Sequence, residues 1–409
     1  MDRNAKEKFE QRVRTLEAFG HRGSATEREG RAADYLVEEL RKSNVEAEKE
    51  EFRGFTSLGM RVLIHVAFAT IGICFLWAEP LVTLLLGIVV LISFVGEMNT
   101  RLLLLSRLLP KAGSRNVVGR IPASNGKDPV HRVILCAHLD TQRTGLIWRE
   151  QVIGPMAGLL QKAPGPVKSP TFLVVLAFAI QPFIAILEQL WAGNPLTIAG
   201  FYFVLVVYVI AGFLLAEWST GQFVPGASDN ATGVAAAIAL GECWNDSSTP
   251  SDVELVILLT GCEEVGALGA AAWLDAHKGQ LKTSEKSFLV LDTLGYGGPR
   301  FVGKEYTLAA VPVSYPQEIL KMCHNVAQRL ELTRAGPHTI PNFSDSIAFL
   351  SRGIPGAFIA TFKDDGVHMP SLPNLHQMSD TSSEMSFDVG WQATQFGWEM
   401  LKELAAYRR

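Results

Sequence analysis

Charge is scarce in this chain, and neither sign prevails. Only 19% of the 409 residues are Asp, Glu, Lys or Arg, and 37 basic residues face 41 acidic ones for a net charge of −4. That balance offers no broad field for a polyanion, and the sequence holds no nucleic-acid-binding motif. Cysteine is also scarce, with five in all, Cys74 inside an apolar run and Cys136 in a strand-like one. This excludes a disulfide framework and agrees with a reducing compartment. Internal repeats and long low-complexity linkers are absent, and the polar start Met1 to Glu10 reads as no cleavable signal peptide.

What the chain has in excess is apolar residues, at 48% with a mean hydropathy of +0.18. The excess is concentrated. Val62 to Ala78 and Leu81 to Gly96 flank Glu79-Pro80, and Thr171 to Leu187 and Pro195 to Ala216 flank Trp191-Ala192-Gly193-Asn194. Each run approaches the roughly 20 residues that span a hydrocarbon core. Buried core helices are the alternative, but four such segments would overfill one core. The reading is two helical hairpins, four membrane crossings, with His65, Gln181 and Pro182 engaged in helix packing. Met98 to Leu109 and Leu146 to Leu160 read as interfacial amphipathic segments. Arg53, Arg61, Arg101, Arg107, Lys111, Arg115, Arg143, Arg149, Lys162 and Lys168 all lie at the open ends of the hairpins, and the tips carry no Lys or Arg. The expectation is an integral protein of the cell inner membrane with both termini and the main domain in the cytoplasm.

Outside the hairpins, potential metal ligands recur after strand-like runs or in loops. They are His138-Leu139-Asp140, Ser228-Asp229-Asn230, Glu263-Glu264 after Val253 to Leu259, Asp292 after Phe288 to Leu291, and His376. Zinc takes imidazole nitrogen and carboxylate oxygen, and a catalytic zinc keeps a position for water. Two ions need one shared carboxylate and a private pair each, which His138, Asp229, Glu264, Asp292 and His376 supply. Glu263 is then left to take and return a proton. Asp140, on the same side of an extended strand as His138, is placed to hold its other ring nitrogen.

These strings resemble the co-catalytic zinc aminopeptidase family of clan MH, which includes bacterial leucyl aminopeptidases and glutamate carboxypeptidases. Its Ala-His-x-Asp strand end reads Ala137-His138-Leu139-Asp140, and its bridging turn reads Gly226-Ala227-Ser228-Asp229-Asn230-Ala231-Thr232-Gly233. Its Glu-Glu pair, strand-end Asp and late His-x-x-x-Asp-Thr match Glu263-Glu264, Leu291-Asp292-Thr293 and His376-Gln377-Met378-Ser379-Asp380-Thr381. A Ser-Asp-x-x-x-Phe element appears as Ser344-Asp345-Ser346-Ile347-Ala348-Phe349. The resemblance implies one zinc on His138 and Asp292, another on Glu264 and His376, Asp229 as the bridge and Glu263 as general base. Ser344, Asp345 and His368, in the loop leading to His376, are candidates for substrate contact. Two positions depart from the family: Ser346 where it often has His, and Leu375 where it often has Tyr. The peptidase-like Asn230-Ala231-Thr232-Gly233 sets the reading against glutaminyl cyclase, a diverged branch.

Helical apolar spacing marks Glu7 to Phe19 and Glu27 to Ser43, and strands follow at Val45 to Phe52, Asn116 to Ile121 and Val133 to Ala137. Further strands are expected at Val253 to Leu259, Phe288 to Leu291 and Ala357 to Thr361. Helices are expected at Gly233 to Trp244, Gly266 to Ala276, Pro316 to Leu330, Ser344 to Arg352 and Met385 to Ala406. The alternation predicts an α/β/α sandwich on a mixed, largely parallel sheet, of zinc-exopeptidase type, plus four inserted transmembrane helices. Residues 1–60, 108–145 and 218–409 would form the peptidase domain, with hairpin insertions at 61–107 and 146–217. The expected protein is a membrane-embedded di-zinc metallopeptidase, an aminopeptidase on hydrophobic or membrane-derived peptides. Its partners are a peptide substrate and the lipid bilayer, with no nucleic acid, and the oligomeric state stays open. The alternatives are a carboxypeptidase of the same fold or a catalytically silent membrane receptor or scaffold.

Overall fold

The structure, a computed structural model, describes residues 3–152, 155, 163–247, 250–282, 285–363 and 371–407. Helices α1 (Arg3–Glu17) and α2 (Glu27–Lys42) lead into strand β1 (Glu46–Gly54) and then the apolar helices α3 (Leu58–Cys74) and α4 (Pro80–Met98). Strands β2 (Ala112–Ile121) and β3 (His131–His138) precede the second apolar pair, α5 (Phe172–Leu190) and α6 (Pro195–Thr220). Then come α7 (Thr232–Asn245), β4 (Val253–Thr260), α8 (Leu268–Ala276), β5 (Glu285–Leu291), β6 (Gly298–Tyr306) and β7 (Pro312–Ser314). The chain finishes with α9 (Gln317–Arg329), β8 (His338–Thr339), α10 (Ser346–Leu350), β9 (Gly356–Phe362) and α11 (Phe387–Ala406).

The strands form one mixed sheet in the order β1-β2-β4-β3-β5-β9-β6-β7, with β8 beside β6. Its centre, β4-β3-β5-β9, is parallel, and the flanking pairings are antiparallel except β6 with β8. Side chains alternate across a strand, and here both faces are covered. Leu135, Ile257 and Leu289 point into a layer made by α1, α2, α7 and α11, while Cys136, Leu258 and Val290 point into one made with α8 and α10. This is the α/β/α sandwich. The strand β6, absent from the sequence reading, carries Gly298, Pro299, Gly303 and three charges and so lacks a clean period of two. Its antiparallel pairing with β9 creates it.

The four apolar helices form their own bundle, whose core runs from Val62, Val90 and Phe178 to Cys262 and Val265 of the main domain. Three of them, α4, α5 and α6, are long and apolar enough to cross a membrane, and α3, at 17 residues, is shorter. Four full crossings were expected, and length and composition mark three. Only 17% of the most apolar window of α6 is buried, leaving Val206, Val209, Ile210 and Phe213 facing outward. Leu102, Leu104 and Leu108 are likewise exposed beside the short turn Leu105–Leu108. Of the segment Leu146 to Leu160, Leu146–Trp148 forms a short turn, and most of the remainder lies outside the described residues.

Helix α2 starts on a cap that reaches the domain's centre. Thr26 accepts from the Glu29 amide, and the Glu29 carboxylate accepts from Ala25 N at 3.1 Å and Ser114 Oγ at 2.9 Å. Burial pushes the Glu29 carboxyl up to about 8, with Asp140 adding to the effect. The folded chain therefore keeps a proton here, between roughly pH 4.5 and 8, that the unfolded chain releases, so this group's contribution to stability falls as pH rises through that window. Glu29→Gln keeps the acceptor without the titration. Its unfolding free energy should gain on wild type from pH 5 to pH 8, with a slope below about 1.4 kcal/mol per pH unit, as read by scanning calorimetry at fixed metal content.

Candidate metal centre

The parallel strands end side by side, with His138 of β3 in register with Thr260 of β4. The carboxyl ends of such strands form the usual crevice for ligands in an open α/β sheet. His138 closes β3, Glu263 and Glu264 follow β4, Asp292 follows β5, and Asp229 sits in the turn before α7. That turn is held tightly. Asn230 donates to Leu291 O at 3.0 Å and accepts from Gly233 N at 2.9 Å and Thr293 N at 3.2 Å, tying it to the strand end that bears Asp292. A Cβ at Gly233 would lie 2.2 Å from Asn230 Oδ1 and 2.3 Å from Leu291 O, so only glycine fits there.

Asp229 stands between two imidazoles. His138 Nε2 lies 3.1 Å from Asp229 Oδ1 and 3.3 Å from Asp292 Oδ1, while His376 Nε2 lies 3.1 Å from Asp229 Oδ2 and 3.3 Å from Glu264 Oε2. Two triads thus share one carboxylate, His138-Asp229-Asp292 and Asp229-Glu264-His376, each with its ligating atoms within 4.8 Å of one another. Glu263 joins His138 and Glu264 in a third such group. Asp140 does more than orient His138, whose Nδ1 lies 3.1 Å from its carbonyl oxygen. Its carboxylate accepts from the amides of Glu263 at 3.0 Å and Glu264 at 3.2 Å, and from Ser24 Oγ at 2.6 Å.

The electrostatics are those of a cation site. Burial would raise the Asp229 carboxyl, but hydrogen bonds from His138 and His376 hold it well below its ordinary range. Burial pushes Glu263 well above that range, against the pull of His138, and pushes Glu264 up to about 7, helped by Asp229. Burial would lower both imidazoles, yet Asp292 and Glu263 hold His138 well above its usual value, and Glu264 and Asp229 lift His376 to about 10. Three buried carboxylates and the half-buried Asp292 outnumber the two imidazoles, and Glu264 Oε1 is buried with no partner. A set of imidazole nitrogens and carboxylate oxygens around such a deficit fits zinc.

Ser344 and Asp345 are buried behind the strand ends. Ser344 donates to Glu305 Oε2 at 3.0 Å, and Asp345 accepts from Thr260 and from Cys136 Sγ at 3.5 Å, with its Oδ1 unpartnered. His368 lies outside the described residues. Four further residues escaped the sequence reading as site residues. Gln142 donates to Glu264 O at 2.8 Å and Oε2 at 3.1 Å, and Trp148 sets its ring edge-on to His376, with centroids 4.1 Å apart. Arg22, fully buried, donates to the carbonyls of Leu139, Pro225 and Gly226 at 2.8 Å each, joining the end of β3 to the Asp229 turn. Asp380, four residues beyond His376, accepts from Ser228 N at 2.9 Å and Asp229 N at 3.0 Å. Of these only Asp380 had a signal, its place in the late motif.

Residues 214–399 match the family model for Peptidase family M28. The motif resemblance is to this family. No curated protein matches the sequence. Among solved structures, a zinc aminopeptidase from Bacillus subtilis is 13% identical with a TM-score of 0.54, covering 97% of this chain and 95% of its own. A Zn-dependent exopeptidase from Parabacteroides distasonis is 14% identical with a TM-score of 0.52, covering 98% of each chain. A glutaminyl cyclase from Bacteroides thetaiotaomicron, 13% identical with a TM-score of 0.54, also covers 98% of each. The fold is that of the zinc exopeptidases.

Because both amides before and at Asp229 rest on Asp380, its loss should loosen the shared carboxylate. Asp380→Asn leaves one acceptor oxygen for two amides. Zinc affinity should fall about 10–100-fold in competition with a chromogenic chelator, with the circular dichroism of the fold unchanged.

Proposed function

We propose that this chain is a membrane-embedded zinc exopeptidase of the M28 type, an aminopeptidase that takes hydrophobic or membrane-derived peptides. The carrying observation is the pair of His-carboxylate triads sharing Asp229. His138, Asp229 and Asp292 would hold one zinc, and Asp229, Glu264 and His376 a second. When bound, such ions polarise a carbonyl and lower the pKa of a water. Glu263 accepts a proton from the attacking water and returns it to the amine that leaves as the peptide bond breaks. Asp140 meets the His138 ring through its carbonyl oxygen and the Glu263 and Glu264 amides through its carboxylate, so one residue aligns the proton carrier with the ligands.

The preference for apolar peptides rests on where the second hairpin meets the site. Trp148 packs on His376 and, at 5.5 Å, on Trp218 at the end of α6, so the hairpin base and the metal centre share a wall. A peptide held at the interface would reach the site directly. His368 remains a proposed substrate contact, whereas Ser344 and Asp345, buried behind the strand ends against Glu305 and Thr260, serve as supports rather than contacts. Glutaminyl cyclase is the second reading, since structures of that name share the fold.

A panel of aminoacyl and carboxyl-blocked fluorogenic peptides, together with an N-terminal glutaminyl peptide, tests this in lipid nanodiscs. Release of amino-terminal residues, rising with side-chain hydrophobicity, is expected. Cyclisation of the glutaminyl peptide without hydrolysis of the others overturns the reading. Glu263→Gln should keep wild-type zinc by elemental analysis while turnover drops by about 10²–10⁴-fold, the size of a lost general base.

The basic flanks support a topology with the hairpin tips outside and the main domain in the cytoplasm. With the native cysteines removed, Glu79→Cys and Ala192→Cys should react with an impermeant maleimide in intact cells, and Lys127→Cys only after lysis. The reverse pattern inverts the topology.

A further inference from the structure

The loop that carries Glu263 and Glu264 is supported from three sides. Its amides rest on Asp140, the Glu264 carbonyl accepts from Gln142, and the Glu263 carbonyl accepts from Gly266 N at 2.7 Å and Ala267 N at 2.8 Å. The Val265 carbonyl is held from elsewhere. Its donor is Arg61 Nη1, from the first turn of α3, a guanidinium with no exposed surface. Gly266 has φ +109°, and a Cβ there would lie 2.5 Å from that same nitrogen, so the loop is shaped to admit the arginine.

Arg61 is itself fixed by the hairpin. Its Nη2 donates to Glu97 Oε2 on α4 at 3.3 Å, and its guanidinium lies 5.3 Å from the Phe55 ring. Glu97 Oε1 accepts from Ser93 Oγ at 3.0 Å, Leu104 N at 2.9 Å and Ser106 N at 3.0 Å. His65 closes the network, with Nδ1 2.7 Å from Arg61 O and Nε2 2.9 Å from Ser93 Oγ. Both helices of the hairpin and the chain leaving it thus converge on one arginine, and that arginine ends on the dicarboxylate loop. A joint needed only for attachment would be served by apolar packing, which the adjoining bundle core already supplies.

We propose that Arg61 is a positioning residue: with Glu97 as its support, it sets the Glu263-Glu264 loop from the base of the first apolar hairpin, making that hairpin part of the site. The consequence for turnover rests on the hydrolase reading above, and the position of the loop does not.

Removing one partner would strand a buried charge, so the informative variant is Arg61→Met/Glu97→Gln, in which Gln retains an oxygen for the Leu104 and Ser106 amides. Hydrogen exchange by mass spectrometry, on full-length zinc-loaded protein in nanodiscs, compares 262–267 with β4 at 253–259. Exchange in 262–267 is expected to quicken about tenfold or more while β4 stays unchanged. On a peptide substrate, kcat should fall about tenfold with KM within about twofold and zinc content unaltered. Arg61→Lys, which can reach the carbonyl or Glu97 but does not fork to both, should fall between. Unchanged exchange in 262–267, or a rise shared equally by β4, overturns the proposal. A wild type that hydrolyses no peptide overturns the hydrolase reading, while the exchange comparison still decides the role of Arg61.

Discussion

Everything in the site depends on Asp229 facing two imidazoles at once. A carboxylate has two oxygens, and here each faces a different histidine at 3.1 Å, which sets the ends of β3 and of the late loop at a fixed spacing. The rest of the local structure keeps that carboxylate still. Asp380 holds its amide, Asn230 ties the next residue to the end of β5, and Arg22 ties the turn to the end of β3. Each of these groups is buried, so each hydrogen bond counts at its full desolvation cost. A site with an excess of buried carboxylates is stable only with such neutralising contacts and, by its donor set, with a divalent cation.

Of the candidate ligands, His138, Glu264 and Asp292, with Glu263 beside them, were legible because each follows an apolar run that reads as a strand whatever lies around it, while Asp229 and His376 were legible from the motifs of their turn and loop. Val253 to Leu259 and Phe288 to Leu291 announce strand ends, and the carboxylates after them fall at the crevice by topology alone. Gln142, Trp148 and Arg22 were not legible for the converse reason. Their importance lies in partners 122, 228 and 203 positions away along the chain, and nothing local marks them. The same holds for β6, β7 and β8, which have weak strand patterns and exist by pairing outward from β9. Ser344 and Asp345 show a further limit. Their motif is plain, but burial behind Thr260 and Glu305 places them among the strand supports, a fact of packing that no spacing carries.

The hairpins illustrate how composition and packing divide the information. Hydropathy locates four apolar helices to within a few residues, because a long uncharged run needs no partner to be recognised. It does not say which face turns inward. Tyr208 OH donates to Gln181 at 2.8 Å, and His65 meets Ser93, so polar residues inside these helices mark the faces along which they pack on one another. The faces left over, such as that of Val206, Val209 and Phe213, stay apolar and exposed.

Where the hairpins join the domain follows from the same economy of strand ends. An insertion is tolerated in a loop, and the loops at the carboxyl ends of parallel strands are those that also carry ligands. The second hairpin departs just after His138 and Asp140 and returns just before Asp229, so its base cannot be far from the centre; Trp148 and Trp218 are the contact that results. The first departs after β1, at the edge of the sheet, and has no such necessity. Its approach to the centre is instead made by one long side chain, Arg61, reaching from α3 to Val265. Two hairpins of similar composition therefore meet the centre by different means, one through chain connectivity and the other through a buried charge.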